Sequence, residues 1–71
     1  MAEKYCIGKS SWPELVGSRG EAAAAKIEEE NPSVFALVQP DGIPQTADFR
    51  CDRVRVFVDS SGFVVRPPVI G

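Results

Sequence analysis

The apolar positions of this chain fall into short runs separated by polar or proline-containing segments, and each run has its own period. The first is Trp12-Pro13-Glu14-Leu15-Val16-Gly17. Pro13 excludes Trp12 from the helical region, and Trp12, Leu15 and Val16 are read as core anchors. Next comes Ser18-Arg19-Gly20-Glu21, which has the form of a capping box, with a hydroxyl at its start and a carboxylate three residues on. Strong helix formers follow from Ala22 to Glu30. Pro32 stops any continuation, and Asn31 suits a left-handed C-terminal position. The pattern predicts one helix over residues 19–30. Ala23, Ala24 and Ile27 share a face of small volume, suited to close packing on a sheet. Glu28, Glu29 and Glu30 sit where the helix dipole disfavours acids, and read as a solvated end.

Two strand patterns come after the helix. Ser33-Val34-Phe35-Ala36-Leu37-Val38 is a continuous apolar run, which predicts a strand covered on both faces. Arg53 to Val58 instead alternates: Val54, Val56 and Val58 point one way, Arg53, Arg55 and Phe57 the other. Asp59-Ser60-Ser61-Gly62 is a turn signal, after which Phe63-Val64-Val65 reads as a short antiparallel strand. Pro67 and Pro68 make the remainder an extended tail. The pattern as a whole predicts an α+β fold on a single domain, residues 1–71.

Between the main strands, Gln39 to Cys51 shows no helix or strand period. Long connections of this kind in compact domains are usually functional or disordered. Pro40 and Pro44 stiffen this one, Asp41-Gly42 supplies a turn at its start, and Ile43 to Arg50 lacks glycine. It has the character of an extended segment presented to a partner.

Composition narrows the chemistry. A chain of 71 residues has little core to spare and usually carries a staple. It has no histidine and two cysteines, too few ligands for a structural zinc site. The available staple is a Cys6–Cys51 disulfide, which would contribute about 4 kcal/mol in the chain-entropy model. Two free thiols in a reducing compartment are the alternative reading, and the small size of the chain weighs toward the disulfide. A net charge of −2 argues against nucleic acid as a partner. No apolar run approaches a membrane span. Met1-Ala2-Glu3-Lys4 lacks the apolar core of a signal peptide, so the start of the chain leaves its compartment open. Paired cysteines would place it outside the cell or in the vacuole.

Catalysis has no obvious carriers. Without histidine there is no Ser–His or Cys–His pair, and no glycine-rich phosphate loop occurs. The chain reads as a binder that needs no cofactor or metal. Arg53 and Arg55 lie on one strand face just beyond the stiff segment. They are either ordinary exposed strand residues or a support beneath the loop. A guanidinium fork offers several directed donors, and Thr46 and Asp48 offer acceptors.

At these residues the chain resembles the potato inhibitor I family of serine protease inhibitors, which includes the eglin-like inhibitors. The resemblance is carried by Lys9 to Gly17 (KSSWPELVG), Ile27 to Pro32 (IEEENP), Thr46 to Val58 (TADFRCDRVRVFV) and Pro67 to Gly71 (PPVIG). It implies a helix packed on a small mixed sheet with a parallel strand pair, joined by a protease-binding loop of Pro44, Gln45, Thr46, Ala47, Asp48, Phe49 and Arg50. It implies a scissile bond at Ala47–Asp48, loop support from Arg53, Arg55 and Gly71, and, for the plant subgroup with both cysteines, a Cys6–Cys51 disulfide. It also implies a role in plant defence and the response to wounding.

With Ala47 in the primary specificity position, the expected partners of a monomeric inhibitor are subtilisin-like or elastase-like serine proteases. A few missing methylenes weaken binding in a larger apolar pocket by only ~1–3 kcal/mol. Trypsin, chymotrypsin and acid-specific serine proteases are therefore alternative targets, and a non-inhibitory defence or storage protein is the alternative role.

Overall fold

The computed structural model describes residues 6–71; the polar start read from Met1 to Lys4 lies outside them. Pro13–Leu15 form a single 3-10 turn, where proline loses nothing because its absent N–H has no partner in a first turn. Trp12 precedes the turn outside the helical region, with φ −135° and ψ 64°, and is fully buried. Leu15 packs partly buried against the core. Val16 does not belong to the core: it is 46% exposed. The chain leaves the turn extended at Val16 and reverses at Gly17, whose φ of +91° is left-handed. That path directs Val16 outward.

Helix α1 spans Gly20–Glu30, and it starts without the Ser18–Glu21 capping box. Its N-cap is Arg19, with no side-chain cap bond. The reason is tertiary. The Ser18 carbonyl accepts from Val64 N (2.8 Å), and Gly20 N donates to the Gly62 carbonyl (2.9 Å). Pairing with the 62–64 segment holds the chain extended through Arg19. Ala23 and Ile27 are buried and Ala24 is half-buried. The thin helix face allows close approach: a Cβ on Gly20 would lie 2.8 Å from Val58 Cγ1 and 2.9 Å from Val38 Cγ1.

The helix ends at Asn31, which is extended (φ −140°) rather than left-handed. Its side chain is buried and serves other groups. Nδ2 donates to the carbonyls of Ile7 (2.8 Å) and Lys9 (2.9 Å), and Oδ1 accepts from Ser33 N (3.0 Å). The amide thus replaces a helix cap with a tie to the N-terminal segment. The acidic end is also more than solvated charge. Glu30 accepts from the Trp12 indole (2.9 Å) and pairs with Lys9 (3.1 Å), while Glu28 accepts from Ala36 N (2.8 Å).

The sheet has the order β1-β2-β3, with β1 at Phe35–Pro40, β2 at Arg53–Val58 and β3 at Val69–Ile70. β1 and β2 are parallel, in register from Phe35↔Arg53 to Pro40↔Val58. β2 and β3 are antiparallel through Val54↔Ile70 and Arg55↔Val69. The apolar run of β1 proves not to be doubly covered. It is an edge strand, with Phe35 49% exposed. The Phe63–Val65 segment forms single bridges, Val58↔Val64 and Arg19↔Phe63, in place of a strand. Trp12, Ala23, Ile27, Val34, Val54, Val56, Val64 and Ile70 make one core between α1 and the sheet. The result is an α+β fold, one helix on a small mixed sheet with a parallel pair.

Candidate functional site

Parallel strands cannot be joined by a tight turn; their connection must cross the length of the sheet. Here residues 41–52 make that crossing without a helix, and every residue from Asp41 to Arg50 is exposed. Part of the length of this segment therefore follows from topology. Its path is set at the start by Asp41, whose N–H donates to the Val58 carbonyl (2.9 Å), and by Gly42, with φ of +91°. Gln45 Nε2 donates to the Ile43 carbonyl (2.7 Å), adding a local brace beside Pro44.

Beneath the crown of the loop lie the polar members of β2. Arg55 Nη2 donates to Thr46 Oγ1 (2.9 Å), and its Nη1 reaches the Thr46 carbonyl (3.5 Å). Arg53 Nη2 donates to the Asp48 carbonyl (3.0 Å) and lies 3.2 Å from Asp48 Oδ2. Arg55 lies 3.7 Å from Asp48 Oδ1. Thr46 Oγ1 also hydrogen-bonds the Asp48 carboxylate. The two arginine side chains are mostly buried, at 12% and 15% exposed, whereas Asp48 faces solvent at 52%. Arg53 is itself fixed from the other side: its Nε donates to the Gly71 main-chain oxygen (2.8 Å), and Gly71 N donates to the Arg53 carbonyl (2.9 Å). The Thr46 hydroxyl first, and then the Arg53 charge, hold the Asp48 carboxyl below its usual range.

Ala47 sits between these two anchored residues and is exposed. On its far side, Phe49 is also exposed and lines a groove with Cys6, Gly8, Ser10 and Ser11. Arg50 pairs with Asp52 through a two-bond fork (both 2.9 Å), which lowers the Asp52 carboxyl. Cys51 closes the segment in a disulfide with Cys6. The structure thus brings Thr46, Asp48, Arg53, Arg55 and Gly71 into one contact network. It leaves Pro44, Ala47, Phe49 and Arg50 outside that network along the exposed strap.

Sequence reasoning placed Asp41 in a turn but missed its pairing with Arg66. Arg66 Nη2 lies 2.6 Å from Asp41 Oδ1, and its guanidinium stacks 4.3 Å from the Phe57 ring centre. No local pattern could pair residues so far apart in the chain. Among the described residues, no group of three or more His, Cys, Asp or Glu is placed to hold a metal ion. No helix there is long and apolar enough to cross a membrane.

The loop is thus exposed, held from beneath by directed donors and closed by a covalent bond. The particular family is shown by comparison: the model of the potato inhibitor I family matches residues 2–71, and the chain belongs to that family of serine protease inhibitors. It is therefore an inhibitor-family protein rather than an enzyme. The chain is 64% identical to the Glu S.griseus protease inhibitor of Momordica charantia, over 93% of this chain and 97% of that one. It is 56% identical to the inhibitor of trypsin and hageman factor of Cucurbita maxima, again over 93% and 97%. Among solved structures, the bitter gourd trypsin inhibitor superposes with a TM-score of 0.91 at 62% identity, covering 93% of this chain and 97% of that one.

Proposed function

We propose that the loop from Pro44 to Arg50 inhibits a serine protease by entering its active site as a substrate, with Ala47–Asp48 as the bond attacked. One observation carries this reading: the two arginines hold opposite sides of that bond, Arg55 at Thr46 and Arg53 at Asp48. A protease attacks the carbonyl held at its nucleophile, and the new amine must then leave before water completes hydrolysis. Arg53 retains Asp48 through its carbonyl and carboxylate. The amine stays close to the acyl group, and re-formation of the bond outruns release. Because the strap is already ordered, binding costs less entropy than for a flexible substrate.

Ala47 fits a small primary pocket, so we assign preference to subtilisin- or elastase-type enzymes. A second reading, an acid-specific target, is favoured by the Momordica charantia relative, whose name specifies a Glu protease of S. griseus. Inhibition constants against subtilisin, elastase, trypsin and a Glu-specific protease separate the two. The preferred reading requires the tightest values for the first two enzymes, and tightest inhibition of the Glu-specific enzyme overturns that preference. Ala47→Lys should strengthen trypsin inhibition by about 100-fold or more, because it supplies the cation that pocket is built to pair. An unchanged trypsin constant contradicts the assigned bond.

A further inference from the structure

The loop-facing row of β2 does not end at Arg55. Phe57 continues the same alternation, and Arg66 lies flat over its ring at 4.3 Å. From there Arg66 reaches Asp41, the residue from which the loop departs. Its Nε donates to Asp41 Oδ1 (2.8 Å) and its Nη2 lies 2.6 Å from the same oxygen. Both ends of this link are tied to β2 by main-chain bonds. Val65 N, next to Arg66, donates to the Phe57 carbonyl (3.0 Å), and Asp41 N donates to the Val58 carbonyl (2.9 Å). Gln45 of the loop, Arg55, Phe57, Arg66 and Gly71 line one groove of about 300 Å³ between the loop and the tail. Arg66 therefore lines that groove from above Phe57.

We propose that Arg66, stacked on Phe57 and paired with Asp41, is a positioning residue that fixes the N-terminal hinge of the loop. The two arginine contacts of β2 act at Thr46 and Asp48, and the disulfide acts at Cys51. Among the described residues, the strap between Asp41 and Thr46 is otherwise braced by Pro44 and the local Gln45 contact. Gly42, with its left-handed φ, is the place where that stretch would pivot. On the reading that Ala47–Asp48 is the bond attacked, this stretch is the acyl half of a cut loop. Arg53 and the disulfide retain the other half. Arg66 complements them by keeping Thr46 and Ala47 within reach of the amine. The guanidinium is suited to the task because one planar group can stack on a ring and pair with a carboxylate together.

The test is backbone 15N relaxation of the free inhibitor, run beside protease cleavage rates, for Arg66→Ala, Arg66→Lys, Asp41→Asn and the control Arg19→Ala. Arg19 stacks on Phe63 at 5.4 Å, and among the described residues no side-chain hydrogen bond or ion pair joins it to the loop. Arg66→Ala and Asp41→Asn should lower the order of the Ile43–Thr46 amides and raise the cleavage rate by about 3- to 10-fold, the scale of one exposed stacked ion pair. Arg66→Lys, which keeps the charge without the planar fork, should fall between wild type and Arg66→Ala. Arg19→Ala should alter neither readout. Unchanged order at Ile43–Thr46 in both Arg66→Ala and Asp41→Asn overturns the hinge role, whatever the inhibition data show. A wild-type protein with an ordered loop that inhibits no protease overturns the functional reading and leaves the relaxation result to decide the hinge.

Discussion

Asp48 shows how much of the site depends on one carboxylate. It accepts from the Thr46 hydroxyl and faces both Arg53 and Arg55, so its ionised form is favoured over that of an unfolded chain. The sign follows directly. A carboxyl lowered by folding contributes its stabilisation at pH above its ordinary value of 3.8 and loses it as pH falls through the lowered folded value. The tie between Thr46 and the arginines should therefore be constant from neutrality down to about that ordinary value. An NMR titration of the Asp48 carboxyl should give a midpoint below 3.8, with the Thr46 amide shift following the same curve. A midpoint at or above that value would contradict the network. At this scale the sequence was partly legible. Arg53 and Arg55 stand out by alternation, and Thr46 and Asp48 by chemistry. Nothing local marks Asp41 and Arg66 as partners, because their pairing depends on how the tail returns along the sheet.

Among the elements, the helix and β2 could be read from sequence, because their periods record which side faces the core. The helix start could not, since a capping box competes with pairing to the 62–64 segment, and the pairing wins. The apolar run of β1 was misread for a related reason. Apolar composition reports what a strand is made of, whereas its place at the sheet edge is set by strand order. Val16 failed in the same way: the exit of a 3-10 turn, not hydrophobicity, directs it outward. Close approach of α1 to the sheet gives a specific consequence. Gly20→Ala adds a methyl that must share space with Val38 and Val58. Urea unfolding should show destabilisation of about 1–3 kcal/mol from overpacking, exceeding the gain of about 1 kcal/mol from helix propensity. A more stable variant would show that the helix can lift without cost.

For the whole molecule, the issue is how a small core holds a long crossing loop in one conformation. Among the described residues, eight buried apolar side chains form that core, and much of the remaining order comes from ties across long sequence separations. Asn31 holds the Ile7–Lys9 segment, Gly71 holds Arg53, and the disulfide joins Cys6 to Cys51. Replacing both cysteines by serine should lower stability by about 2–5 kcal/mol in denaturant unfolding. Unaltered stability would mean that hydrogen bonds alone fix the exit of the loop. The choice of Ala47–Asp48 as the bond proposed for attack rests on the family resemblance, because physical reading of one sequence does not single out a bond in the strap.

That bond is tested most directly by incubating the inhibitor with catalytic amounts of subtilisin and following its mass over time. The account predicts slow, incomplete scission at Ala47–Asp48 alone, with both pieces held together by the Cys6–Cys51 bond, and partial return of the intact chain when purified cut inhibitor meets fresh enzyme. Rapid and complete cleavage, or a first cut at another bond of the strap, would contradict it.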